Sequence, residues 1–153
     1  MKQILVLMLF AVAASWIALV SITQSAASRL QPGENNVAIV RQLFAAFNAH
    51  DWKKMAGFYS DSCSFLDPAY GTNHVAKTYT DILAHHTGLE AWSPDVKDSI
   101  TFISGVADNK VLVQFISSGT MAKEKIKWSL PICDVFTLEN GKIIQDETYY
   151  NKE

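Results

Sequence analysis

The hydrophobic period of this chain changes near Pro94, and that change limits it to a fold that lays down helices first and a sheet afterwards. Before the change, Val37, Val40, Leu43, Phe44 and Phe47 recur at helical spacing; after a break at Asn48-Ala-His-Asp51, Trp52, Met55, Ala56 and Tyr59 share one face of a second, short helix. Asp51 has the short acceptor side chain of an N-cap. Ser62 to Leu66 reads as a strand ending at Asp67-Pro68, and Tyr70-Gly71-Thr72 turns into a third helix with Val75, Tyr79, Ile82, Leu83 and His86 inward and Gly88 as its stop. Beyond Pro94, β-branched and aromatic residues fill Ser99 to Ser104, Lys110 to Ser118, Lys125 to Leu138 and Lys142 to Tyr150. Asn140-Gly141 is the strongest hairpin signal. The reading is α+β: three helices covering one face of a curved, mainly antiparallel sheet.

The N-terminus carries a different message. Lys2, an apolar run from Ile4 to Val20 and a small, polar stretch from Ser21 to Ser28 have the layout of a secretory signal peptide. The run is long enough that an uncleaved anchor is the second reading, and only that reading brings a membrane into play. The expected organisation is a signal peptide over 1–27, a linker over 28–36 and one domain over 37–153, facing an extracytoplasmic compartment, periplasmic or external. A disulfide between Cys63 and Cys133 is permitted there but not required. With 13 basic and 15 acidic residues, the chain lacks the positive surface that nucleic acid requires.

Four segments carry a family resemblance: Phe44-Ala-Ala-Phe-Asn-Ala-His-Asp51, Phe58-Tyr-Ser-Asp61, Phe65-Leu-Asp-Pro68 and Asp134-Val-Phe-Thr-Leu-Glu-Asn-Gly-Lys-Ile143. In this order, across about residues 36 to 151, they resemble the nuclear transport factor 2-like superfamily, most closely its SnoaL-like branch. The resemblance implies a cone-shaped barrel, a bent sheet wrapped around three helices with a pocket between them, and dimerisation through the sheet. It spans ketosteroid isomerases, polyketide cyclases, scytalone dehydratases, epoxide hydrolases and modules without chemistry, so the reaction must be argued from the site.

Asp67 falls where the resemblance to ketosteroid isomerases implies a proton-shuttling Asp; the competing reading is a carboxylate that orders the following turn. The other isomerase groups are missing: Leu43 stands where an oxyanion-holding Tyr is implied and Cys133 where a protonated acid is. Tyr79 matches a supporting Tyr. Thr148 occupies a position where SnoaL-like proteins commonly carry Asp; Asp146, on one strand face with Thr148 and Ile144, reads either as a replacement for that acid or, by preference, as a solvated carboxylate at a sheet edge. Asp134, between Ile132 and Phe136 on its strand face, is expected at a pocket or dimer interface.

His74 is placed to approach the pocket mouth. His85 and His86 read as cations near a helix C-terminus, and His50 as solvent-facing. Asp81 and His85 are too few for a metal site. Phe47, Tyr59, Phe65, Tyr79, Phe115, Trp128 and Cys133 are the expected binding residues. The expectation is a domain that binds a small hydrophobic molecule without cofactor or metal, as an isomerase, cyclase or dehydratase using Asp67, or as a non-catalytic binding or dimeric interaction module.

Overall fold

The computed structural model describes residues 32–107 and 109–151; the expected signal peptide or anchor lies outside the described residues. Helices α1 (Pro32–Asn48) and α2 (Trp52–Ala56) precede strands β1 (Tyr59–Leu66) and β2 (Val75–Thr78), followed by helix α3 (Tyr79–Trp92). Strands β3 (Lys97–Ala107), β4 (Lys110–Thr120), β5 (Lys127–Glu139) and β6 (Lys142–Tyr149) complete a six-stranded sheet in the order β2-β1-β6-β5-β4-β3.

The helical stripe of α1 does what its spacing requires. Val40, Leu43, Phe44 and Phe47 are buried with Val111, Val113 and Phe115 of β4 and Phe136 of β5. Phe44 meets Phe115 edge-on at 4.9 Å and Phe136 at 6.4 Å, the geometry that aromatic quadrupoles favour. Each such side chain contributes roughly 1.5 to 3 kcal/mol by leaving water. Asp51 accepts from the Lys54 backbone N–H and caps α2. Asn140 and Gly141 both take positive φ, so the last hairpin turns as its sequence requires.

Several expectations are corrected. α1 begins at Pro32, so most of the expected linker over 28–36 is helical; Pro is tolerated in a first turn, where its missing N–H has no helical partner, and Glu34 suits the positive end of the helix. Val75 lies in β2, not in a helix. α3 starts instead at a reciprocal cap, in which Thr78 and Asp81 satisfy each other's backbone N–H groups, and it runs past Gly88 to Trp92.

The sheet is mixed, because β1 pairs parallel with β6, and it is curved but not closed into a barrel. That pairing makes β6 an interior strand. It also separates Cys63 on β1 from Cys133 on β5 by two strand spacings, roughly 10 Å, beyond disulfide reach, and both thiols are free.

Candidate active site

α1, α3 and the concave face of the sheet enclose a cavity of about 160 Å³. An apolar cavity of roughly 150 Å³ admits benzene, so the matching occupant is about one ring in size. Its walls include Phe44, Phe47, Phe65, Phe115 and Phe136. Its polar features are unusual for such a lining, because three carboxyl groups face it from three different strands: Asp98 on β3, Asp134 on β5 and Asp146 on β6. All three residues are buried, and Oδ1 of each is buried without a hydrogen-bond partner.

Local strand geometry explains how Asp134 and Asp146 come together. Asp134 pairs with Thr148 and Phe136 with Asp146, so the two acids are diagonal neighbours on one face, with Cβ atoms about 7 Å apart by strand geometry. A register shift between Thr137 and Leu138 lets Ile143 and Asp146 both turn inward despite their odd spacing. Asp146 is therefore not the solvated carboxylate expected at a sheet edge; it is 5% exposed on an interior strand and lines the cavity with Thr148.

The two carboxyls differ in environment. Burial raises Asp134 well above the usual carboxylate range, and the neighbouring Asp146 charge raises it further. Burial also raises Asp146, to about 7, but the Tyr59 hydroxyl donates to its Oδ2 at 2.9 Å and favours its ionised form. The Thr148 hydroxyl reaches both carboxyls and pulls each downward. Burial thus raises both carboxyls of the pair, and the Tyr59 bond is the one contact that favours the ionised form of Asp146 alone.

Asp98 is the third carboxyl, on a separate strand, and its charge adds to the rise of Asp134. The Asn48 side chain grips its backbone from both directions, accepting from the Asp98 N–H and donating to the Asp98 carbonyl, each at 2.8 Å. Burial raises its carboxyl to about 7, against a hydrogen bond from the Ser117 hydroxyl. Sequence reasoning missed Asp98 because the strand was started at Ser99; carrying the alternation back from Ile100 would have turned it inward.

Asp67 lies at the mouth of the cavity, where its Oδ1 accepts from the Ala69 N–H at 2.6 Å and the Tyr150 hydroxyl at 3.0 Å. Burial and that bond to Asp67 push Tyr150 up to about 12. Lys77 sits over the Tyr70 ring at 4.0 Å, and the Tyr70 hydroxyl is 3.2 Å from His85 Nδ1. His86 lines the cavity as a neutral ring: burial lowers it to about 4, and Nδ1 donates to the Ile82 carbonyl at 2.8 Å. Neither His is a cation at a helix end, since α3 continues to Trp92.

Phe47, Tyr59, Phe65, Phe115, Asp67 and Asp134 all line this cavity. Tyr79, Trp128, Cys133 and His74 do not. Tyr79 is in the first turn of α3 and 40% exposed. Trp128 packs on Trp92 and donates to Ser93 Oγ at 3.0 Å, beyond the cavity lining. Cys133 alternates with Asp134 and so faces the outer side of β5. His74 bonds Ser64 Oγ at 3.0 Å and lies 3.6 Å from Glu147, outside the cavity. His50 is half-buried rather than solvent-facing, with Nε2 at 2.9 Å from the Val96 carbonyl and Nδ1 at 3.2 Å from Glu90. Among the described residues no group of three or more His, Cys, Asp or Glu side chains is arranged to hold a metal ion.

A curved, open sheet wrapped over helices around an acid-bearing cavity is the cone of the nuclear transport factor 2-like superfamily. The SnoaL-like domain model matches residues 40–145, and the chain belongs to that family. A protein of Catenulispora acidiphila with a ketosteroid isomerase-like fold, in complex with trimethylamine, is similar at 17% identity and a TM-score of 0.65, covering 74% of this chain and 85% of its own. Bal32a, from a soil-derived mobile gene cassette, gives 18% identity and a TM-score of 0.69 over 80% of this chain and 93% of its own. An LEH-like epoxide hydrolase of M. tuberculosis gives 13% and 0.65 over 78% and 84%. No curated protein matches the sequence.

Proposed function

We propose that the cavity is the active site of a cofactor-independent proton-transfer enzyme, of the isomerase, cyclase or dehydratase type, acting on a small and largely apolar molecule. The observation that carries this reading is the diagonal Asp134–Asp146 pair, two buried carboxyls of opposed environment facing one aromatic cavity. Divergent environments are how a site assigns acid and base roles to chemically identical groups. Asp146, as carboxylate, takes a proton from a carbon next to a substrate carbonyl, while Asp134 donates a hydrogen bond to the oxygen on which negative charge develops. Asp146 then returns the proton to carbon. Proton transfer falls to this pair in place of Asp67, whose Oδ1 orders the mouth turn.

Exchange of the methyl protons of acetophenone with D2O tests this, because the molecule is one ring in size and needs only the first step. The wild-type protein is expected to accelerate exchange, and Asp146→Asn to lose roughly 100-fold or more of that rate. Binding of acetophenone without accelerated exchange would leave a non-catalytic binding module.

Two further parts of the reading concern the whole chain. The apolar run from Ile4 to Val20 supports export. The exposed Phe102, Ile116 and Tyr149 lie with Leu112 and Val135 on the outer sheet face, which supports a homodimer formed there. The trimethylamine complex of the Catenulispora protein is in keeping with a cavity that takes small molecules.

A further inference from the structure

We propose that Asp98 is a recognition group for a cationic amine, so that the ligand of this cavity is a small ammonium-bearing molecule with a one-ring apolar body. The inference rests on the reading of the cavity as a small-molecule site. Asp98 is 9% exposed, lines the cavity, and keeps Oδ1 without a partner while the Ser117 hydroxyl occupies the carboxyl from its own side. The Asn48 clamp fixes the backbone that carries it, so the carboxyl is presented by two secondary-structure elements rather than by a loop.

Asp98 is also offset from the proton-transfer pair along the sheet, although its charge still reaches Asp134 and raises it. It pairs with Ser117, whereas Asp134 pairs with Val113, four residues along β4 and across a further strand. A ligand filling the space between them would therefore meet carboxyl groups at two ends.

The charge of the cavity selects the sign of the ligand. Deep in it, Asp98 is faced by Asp134, Asp146, Tyr59 and the neutral His86; toward the mouth stand Asp67, Tyr70, Asp81, His85 and Lys77. Behind the start of β3, His50 and Glu90 pair with each other at 3.2 Å, and α1 presents the uncharged Asn48. Lys77 is the one Lys or Arg in this lining, and it is engaged by the Tyr70 ring at the mouth. An anionic ligand would meet three carboxyls with no deep cation. An ammonium group would meet an orphaned carboxyl oxygen in a lining that includes the aromatic rings of Phe44, Phe47 and Phe115.

Binding such a cation ionises Asp98, so the association releases a proton and strengthens as pH rises toward and past about 7. A neutral ligand has no such dependence on Asp98.

The probes are benzylamine, a cation at neutral pH, and benzyl alcohol, its neutral counterpart of nearly equal size. The wild-type protein is expected to bind benzylamine about tenfold or more tightly than benzyl alcohol at pH 8, with the preference falling about tenfold toward pH 6. In Asp98→Asn the preference should vanish while benzyl alcohol binding is retained. A carboxyl-carbon NMR titration of the wild-type protein gives a second reading independent of the folding of the variant: the Asp98 resonance should move to its ionised position with benzylamine and stay put with benzyl alcohol. Equal binding of the two probes, a preference that survives in Asp98→Asn, or an Asp98 resonance unmoved by benzylamine overturns the proposal. If benzyl alcohol still binds and acetophenone exchange persists, only the amine assignment has failed. If neither probe binds, the small-molecule reading fails with it.

Discussion

The Tyr59 hydroxyl donates to Asp146 Oδ2 at 2.9 Å across 87 residues of sequence, joining the first strand to the last at the floor of the cavity. This bond favours the ionised form of Asp146 against the burial that opposes it. Tyr59→Phe should therefore raise Asp146 above about 7 and move the acid limb of the proton-exchange profile upward by about one pH unit, with a stability loss of about 1 kcal/mol. A pH–rate profile for acetophenone exchange checks it; an unmoved limb would mean that Asp146 is not the base.

Stability should fall as pH rises from about 4 through about 7. Asp98 and Asp146, held at about 7, and Asp134, also raised, retain protons in the folded protein that the unfolded chain gives up near its ordinary carboxylate pKa, so folding takes up protons across that window. His86, held at about 4, and His85, also lowered by burial, act oppositely and add stability as pH rises through the ordinary His range, but they are two groups against three. Urea unfolding at pH 5 and pH 8 should show the fall, and Asp98→Asn should reduce it by roughly 2 to 4 kcal/mol. A wild-type protein more stable at pH 8 than at pH 5 would contradict this account of the carboxyls.

Asp67→Asn is expected to be mild. The Asn side-chain oxygen can still accept from the Ala69 N–H and the Tyr150 hydroxyl, so the mouth turn survives and exchange should drop less than about tenfold. A loss equal to that of Asp146→Asn would return the base role to Asp67.

Gly119→Ala should destabilise by about 1 to 3 kcal/mol. A Cβ there would come within 2.2 Å of Ser93 Oγ and 3.2 Å of Trp128 Nε1, two atoms already bonded to each other, and within 3.2 Å of the Val96 Cα. The thermal midpoint reports this, and an unchanged midpoint would show that the Ser93–Trp128 contact yields freely.

The outer sheet face is tested by Phe102→Asp and Ile116→Asp, which place charge in the exposed apolar surface. Light scattering at micromolar concentration should show a wild-type dimer and a monomeric double variant. A monomeric wild-type protein would remove the homodimer from the proposed function.

The α1 stripe, the last hairpin and the β3-to-β6 order were legible because each is a local pattern whose period repeats over many residues. β2 was not, since Val75-Ala-Lys-Thr78 is four residues long and its strand character comes from pairing with β1. Of the site, the aromatic wall and Asp134 could be read from alternation, which also put Asp146 on the Thr148 face, but the burial of Asp146 could not be read. The register shift before Leu138 changes the phase of the pairing, and the parallel partner that makes β6 interior leaves no trace in the alternation of either strand. Trp128 shows the converse failure: its spacing is right for an inward residue, but Trp92 and Ser93 cover that end of β5 in place of the cavity.

Parallel pairing of β1 with β6 also fixes when the active site can exist during synthesis. β1 emerges from the ribosome before β2 to β5, yet one of its two neighbours is β6, so its edge waits until β6 itself has been translated. Until then the floor of the cavity lacks Asp146, and Tyr59 lacks the carboxyl it will hold. Pairings this distant in sequence form late, because closing a long loop must precede any gain from the contact. A nascent chain halted before Lys142 should therefore carry helices and hairpins but neither a closed ligand chamber nor proton-exchange activity.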